Sequence, residues 1–380
     1  YKRQQMLKPQ IVKVTDIPSL EAEWRTLELR SKPSFFLTWT WIGPWAEMVS
    51  KHTTLYRFKL AENETPVAMC FFTLCKSKRL RGLITARQVQ LNEYHDNGCN
   101  MVIQYNALLA EEKDIDKAWT HLFDSLVAWD KTWDEIAVSS CTEHDKIPLS
   151  AHTIRKKIDK THCTWKVSLD HECIDTGSLL TRLKAKQRQQ LRQSLKLCEK
   201  EFGQITLLAA EQVDQALSFF ERMDDLHTRR WNIVGKPGSF ANPKWVEFHK
   251  NVITAGFPRG EILLVEVRAG EQILGYIYGH VHANTAYIQQ TGFITTKDNR
   301  LRPGYVSHLN AMQYCAEKGI RCYDFLPDET SSYKKFFTSA GEPISWILLQ
   351  RPRIKFYAEE LIRHTLSNLK SEPWRRRVSK

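Results

Sequence analysis

The chain has no run of 18 or more apolar residues, so no segment is long and apolar enough to be read as a membrane-spanning helix. It has no C-x-x-C pair: its nine cysteines are scattered, which argues against a zinc cluster or a disulfide frame and predicts reduced thiols packed as small apolar groups. G-x-S-x-G, the P-loop and G-x-G-x-x-G are all missing, which leaves serine hydrolase, NTPase and Rossmann dehydrogenase chemistry without support. The opening Tyr-Lys-Arg-Gln-Gln has no apolar stretch of signal-peptide type, and a soluble, cytoplasmic protein is the expectation.

What is present is an ordinary globular composition, 42% hydrophobic over 380 residues, long enough for two domains. The formal charge of +12 is concentrated in 182–200 and in 351–380, where nine Lys or Arg face three Glu. Such an excess suits phosphate-bearing partners, among them nucleotide cofactors, tRNA, carrier-protein phosphopantetheine and lipid headgroups, without choosing among them.

Along the chain, 11–14 reads as a strand and 19–30 as a helix capped by Ser19. Phe35, Phe36, Trp39, Trp41 and Trp45 follow, a cluster too aromatic for a solvated loop, suited to core packing or to the wall of a cleft. A hairpin pattern at 55–75 returns at 262–281, and the helix and strand at 115–131 and 135–139 return at 305–318 and 322–326. One α/β unit is therefore written twice, which predicts an α/β (α+β) fold of two tandem units, each a mixed twisted sheet flanked by helices, with a cleft between them. The expected division is 1–160 and 161–380. Between the copies, 178–202 reads as one long helix with a basic side on which Arg188 or Arg192 suits a phosphate.

The two copies differ ahead of the repeated helix. The first has Ala110-Glu111-Glu112-Lys113-Asp114-Ile115-Asp116, four acids with no glycine or arginine, which would repel a pyrophosphate. The second has Arg300, Arg302, Pro303 and Gly304 at the helix start, where unpaired N–H groups, a partial positive charge and a close backbone approach meet the requirements for holding one.

Strand, Arg/Gly loop, helix, strand and short helix, in that order, resemble the acyl-CoA-binding half of the GNAT acyltransferases. The order Phe35-Phe36 with Trp39, Trp41 and Trp45, a basic helix, Leu226-His227-Thr228-Arg229-Arg230-Trp231, Pro303-Gly304, then Asp324 with Tyr333-Lys334 is similar to the CelD-like or FemAB-like subgroup, with two GNAT domains in one chain. The resemblance implies an acyltransferase with an acyl-CoA, acetyl-CoA first, as co-substrate and no metal. It implies that the backbone of Thr291, Gly292, Phe293 and Ile294 holds pantetheine, and that Arg300, Arg302, Gly304 and Tyr305 hold the pyrophosphate. Asp324, Tyr333 and His227 are the acid–base candidates, and Lys334 is placed to lower the pKa of Asp324 by pairing with it. Arg230, Trp231, Trp41 and the strand face of Tyr278 and His280 are candidates for the acceptor site; His280 with His282 lacks a third ligand for a metal.

The sequence departs from the family in two places. Phe337 stands where many GNAT enzymes have the tyrosine that protonates the thiolate, with Tyr333 one helical turn earlier, and the loop lacks the two-glycine form of its motif. The catalytic acid therefore stays unassigned, and Asp324 is open to the alternative of a structural cap. The leading function is N- or O-acylation of a small-molecule, sugar or peptide acceptor. A Fem-type aminoacyl-tRNA-dependent transferase and a non-catalytic basic binding module are the alternatives, with a carrier protein or tRNA as possible partner. Fem-type enzymes usually carry an arm of two long helices, and the single helix at 178–202 favours acyl-CoA.

Overall fold

The computed structural model describes residues 7–96, 99–101, 103–141, 147, 155–169, 176–328 and 333–375. The first repeat opens with β1 (Leu7–Lys13), α1 (Glu21–Ser31), α2 (Trp39–Ser50), β2 (Leu55–Glu62), β3 (Thr65–Arg79) and β4 (Ile84–Leu91). The β2–β3 turn is tight because Asn63 and Glu64 both take positive φ, the geometry that matches the twist of a two-residue hairpin. A small hairpin, β5 (Tyr94–Asp96) and β6 (Cys99–Met101), and the short β7 (Leu109–Ala110) precede α3 (Ile115–Trp129), β8 (Glu135–Cys141) and β9 (Arg155–Cys163). Ile115, Ala118, Trp119, Leu122, Phe123 and Leu126 recur at helical spacing and bury α3 on this sheet.

The second repeat holds β10 (Lys166–Ser168), α4 (Thr176–Thr181), α5 (Ala185–Phe202), β11 (Ile205–Ala209), α6 (Val213–Ile233), α7 (Pro243–Gly256), β12 (Ile262–Ala269), β13 (Gln272–His282), β14 (Thr285–Phe293), α8 (Pro303–Glu317) and β15 (Cys322–Asp324). Then come β16 (Pro343–Gln350) and α9 (Ile354–Arg375). One sheet runs β1-β2-β3-β4-β8-β16-β9 with β7 on β3, the other β10-β15-β14-β13-β12-β11. The expected repeat is present: a meander of three antiparallel strands, then a helix that crosses back to a parallel neighbour, β4 to β8 in one unit and β14 to β15 in the other.

The sheets do not divide the chain at residue 160. β16 returns from the second unit to lie between β8 and β9, where Ile344, Ile347 and Leu349 become buried. The units also share a core. Phe35 stacks on His280 with centroids 4.2 Å apart, and Trp41 meets Phe248 at 4.8 Å, so α2 packs on α7, a helix the sequence pattern did not disclose.

Two helix expectations change. α1 starts at Glu21 after the short turn Pro18–Leu20, and Ser19 donates its hydroxyl back to the Asp16 carbonyl instead of capping the helix. The expected helix 178–202 is two, because Lys184 is extended and its N–H is taken by the Gln187 side chain at 3.2 Å, which restarts the helix at Ala185.

Candidate active site

The two parallel strand pairs end differently, and the difference defines the site. In the first unit β4 and β8 pair over Gln88–Gln90 and Glu135–Ala137. Beyond that, Asn106 fills the space: its N–H donates to Ser140 O, its side-chain amide donates to Leu91 O, and it bridges Cys141. In the second unit β14 and β15 likewise pair over three residues, Thr285 to Tyr287 with Cys322 to Asp324. The register with β13 then skips Gln289, a β-bulge that turns β14, and Leu326 takes positive φ as the chain leaves β15. The strands part, and among the described residues no strand pairs with the β15 side of β14 past Tyr287. Gln289, the residue at the bulge, has its Oε1 buried with no hydrogen-bond partner.

The N-terminus of α8 closes the far end of this gap. Arg302 is its N-cap in the left-handed region, with Pro303 and Gly304 as the first helical residues. A Cβ on Gly304 would lie 2.9 Å from the Phe293 ring, so glycine is what lets the helix start touch the end of β14. The other side of β14 is as close: a Cβ on Gly292 would lie 2.6 Å from the Met223 carbonyl on α6. The loop is held from behind by α5, where Ser194 donates to Arg300 O at 2.6 Å and Cys198 to Leu301 O at 3.4 Å.

The two loop arginines are not equivalent. Arg300 is exposed and paired with Asp298 through Nε and Nη2, with 2.7 Å to Asp298 Oδ2, and this pairing holds the Asp298 carboxyl down at about 2. Its charge is matched locally by that carboxylate. Arg302 touches Ser194 Oγ and Arg300 O at 3.4 Å and carries the cap's positive charge. Arg230, exposed at the end of α6, acts electrostatically on both Tyr305, in the first turn of α8, and Tyr333, so these three predicted residues lie near one another. Tyr333 lies over the ring of buried His308 at 5.8 Å, and His308 shares a 2.9 Å hydrogen bond with Tyr323 while burial holds its pKa down at about 3.

Asp324 is on the opposite face of β15 and is fully buried. Its Oδ2 accepts a 2.5 Å hydrogen bond from the Tyr105 hydroxyl and its Oδ1 accepts the Leu326 N–H at 2.8 Å. Burial raises its pKa, against the Tyr105 hydrogen bond and the Lys166 ammonium at 3.9 Å, both of which lower it. Tyr105 adjoins Asn106 in the segment that fills the first unit's gap, so the same stretch closes one gap and meets the carboxylate of the other. Lys334 does not pair directly with Asp324. It is buried, donates to Leu326 O at 3.0 Å, lies 3.3 Å from Asp328, and has its pKa lowered by burial.

Tyr105, Lys166 and Tyr287 also line a cleft of about 620 Å³ between the units, with Ser34, Thr164 and Leu37. Other predicted residues lie elsewhere. Trp41, Tyr278 and His280 are sealed in the shared aromatic core, with Tyr278 hydrogen-bonded to His249 at 3.1 Å. His227 is buried against Phe240 and Trp231, its pKa lowered to about 4 by burial, and Gly238 packs so closely over it that a Cβ would lie 2.6 Å from its ring. Trp231 is half-buried with Lys236 over its ring. Sequence reasoning missed Tyr105, Lys166, Gln289 and His308: Lys166 and Gln289 sit on stretches that read as strands, 164–169 and 286–294, and His308 on the helix read at 305–318, but nothing local marked any of the four as functional.

Residues 185–335, which contain the open gap and the α8 start, match the family model of the acetyltransferase (GNAT) domain. No curated protein sequence matches the chain. In fold it is similar to the crystal structure of FemX, with a TM-score of 0.54 and 12% identity over 93% of this chain and 99% of that one. It is also similar to L-PGS from Bacillus licheniformis, with a TM-score of 0.52 and 8% identity over 90% of this chain and 95% of that one. The family match covers the second unit, while the likenesses in fold run through both units, so the chain has two units of this fold in a tandem like that of FemX.

Proposed function

We propose that the protein transfers an acyl group, acetyl first among them, from a CoA thioester at the β14–β15 gap to an amine or hydroxyl of an acceptor that enters through the cleft between the units. The contrast between the two gaps carries this reading: the first is filled by Asn106, whereas the second is open and ends at a helix start that glycine allows to approach closely. The backbone of Thr291 to Ile294 and the unpartnered Gln289 Oε1 would meet the amides of pantetheine, and Gly304 N–H with Arg302 would meet the pyrophosphate. Bound there, the thioester supplies an activated carbonyl for attack. Tyr105 takes the acceptor's proton as it passes its own to Asp324, and Tyr333, near Tyr305 in the first turn of α8, is the donor to the departing sulfur.

The acceptor class is read from the cleft, where Lys166 and Glu342 stand beside the Tyr105 and Tyr287 rings, a lining suited to a polar sugar or peptide with an apolar face. An aminoacyl-tRNA donor is the second reading, favoured by the Fem-like fold and by the exposed basic residues of α5. Calorimetric titration separates the two. CoA should bind, and Arg302→Ala should weaken it by about 1.5–3 kcal/mol as a charge-assisted hydrogen bond is lost. Absence of CoA binding to the unmodified protein, with turnover from aminoacyl-tRNA, would replace the first reading by the second.

A further inference from the structure

α9 leaves one face of its first turns uncovered. Its inward face carries buried Phe356 and Glu359, and Glu359 pairs with Arg79 at 3.1 Å and with Arg363 at 2.8 Å, while Arg79 also reaches buried Glu135. Its outward face carries Ile354, Tyr357 and Leu361, spaced three and four residues apart on one stripe and 88%, 57% and 70% exposed. A helix already seated on the protein through Phe356 and Glu359 that still holds such a stripe in water presents an unpartnered apolar face.

The charges around the stripe select that partner. Arg155 of β9 pairs with Glu360 on α9, on which Lys157 also acts electrostatically, so the edge strand with Lys156, Lys157 and Lys160 lies alongside the helix, with Ile158 and Asp159 exposed among them. Arg351 and Arg353, which precede the helix, are held by the Asp130 and Lys131 carbonyls and by Asp134 at 3.6 Å, but from 351 to the end the sequence still has nine Lys or Arg against three Glu. A second copy docked on this face would set like-charged clusters against each other, and lysines on an edge strand oppose pairing with another strand. A nucleic-acid backbone would satisfy the cations and leave the stripe in water. An anionic surface with an apolar interior satisfies both.

We propose that the outward face of α9, with the Lys-rich edge of β9, seats the protein on an anionic bilayer surface. Ile354, Tyr357 and Leu361 enter the interface and the surrounding Lys and Arg meet lipid phosphates, an arrangement that lies on the membrane and does not cross it. Co-sedimentation with vesicles tests this. The unmodified protein should bind vesicles of phosphatidylcholine with phosphatidylglycerol, and not phosphatidylcholine alone, with binding that weakens as salt rises. The double variant Ile354→Ser with Leu361→Ser should lose about tenfold or more in partitioning, the scale expected for removing two inserted side chains. Its melting temperature should be unchanged because both residues are exposed, and Leu361→Phe, which keeps the apolar face, should bind as the unmodified protein does. Failure to bind anionic vesicles, or binding that the double variant retains, overturns the proposal. A protein that sediments as a dimer and becomes a monomer in the double variant also overturns it, in favour of a second copy.

Discussion

Tyr105 and Asp324 are 219 residues apart in sequence and joined by one hydrogen bond, which is the clearest case of chemistry that local pattern could not disclose. Asp324 was legible as the end of a strand in the second unit, but its partner comes from a connecting segment of the first, and its pairing with Lys334 gives way to Tyr105 and Lys166. The pairing has a testable sign. The Tyr105 hydrogen bond lowers the Asp324 pKa that burial raises, so Tyr105→Phe should break the relay and lower turnover, and should move the acid limb of the residual kcat/KM profile to higher pH. The lost hydrogen bond should also cost about 1–3 kcal/mol in a denaturant melt. Asp324→Asn keeps the shape, removes the titrating group and should lower turnover about 100-fold or more in folded enzyme. If the limb stays in place in Tyr105→Phe and Asp324→Asn loses stability but not activity per folded molecule, Asp324 is a cap for the turn at Leu326.

At the scale of elements, periodicity served well wherever one face is buried locally. On α8 the apolar residues at helical spacing, Val306, Leu309 and Met312, are buried and Ala316 partly so, and the two hairpins lie as the pattern implies. It failed where an element's partner is distant: β16 has strand composition, but nothing in it says that it crosses back to β8, and α7 buries its apolar face on α2 of the other unit. α9 shows the cost of reading a tail by charge alone, because its first turns anchor a buried ion network. Truncation from Lys370 onward should leave the melting temperature nearly unchanged, since that stretch has only Trp374 and Val378 as sizeable apolar groups. Truncation from Ile354 onward removes Glu359 and Phe356, leaves Arg79 short of one carboxylate, and should cost about 3–5 kcal/mol. Equal loss of stability in the two truncations would show that the last residues pack on the body.

At the scale of the whole molecule, the two units are one folding body because a strand and an aromatic core cross between them. That core and the α8 face enclose neutral histidines: burial lowers His249 and His308 to about 3 and His227 to about 4, from an ordinary 6.5. A pKa lowered in the folded state means that the unfolded chain binds the proton first as pH falls. The contribution is fully present above about 6.5 and is lost as pH drops from there toward 3. Melting temperatures should therefore fall steadily on acidification below about 6.5, and His308→Gln should flatten that slope; an unchanged slope in the variant assigns the acid sensitivity to other groups.

The central claim is that the second unit, and not the first, holds the CoA thioester. Amide hydrogen exchange with and without saturating CoA measures this along the whole chain. Protection should rise at Gln289 to Ile294 and at Arg302 to Val306, with Glu111 to Ile115 unchanged; protection that appears at the first unit's helix start, or nowhere, contradicts the account.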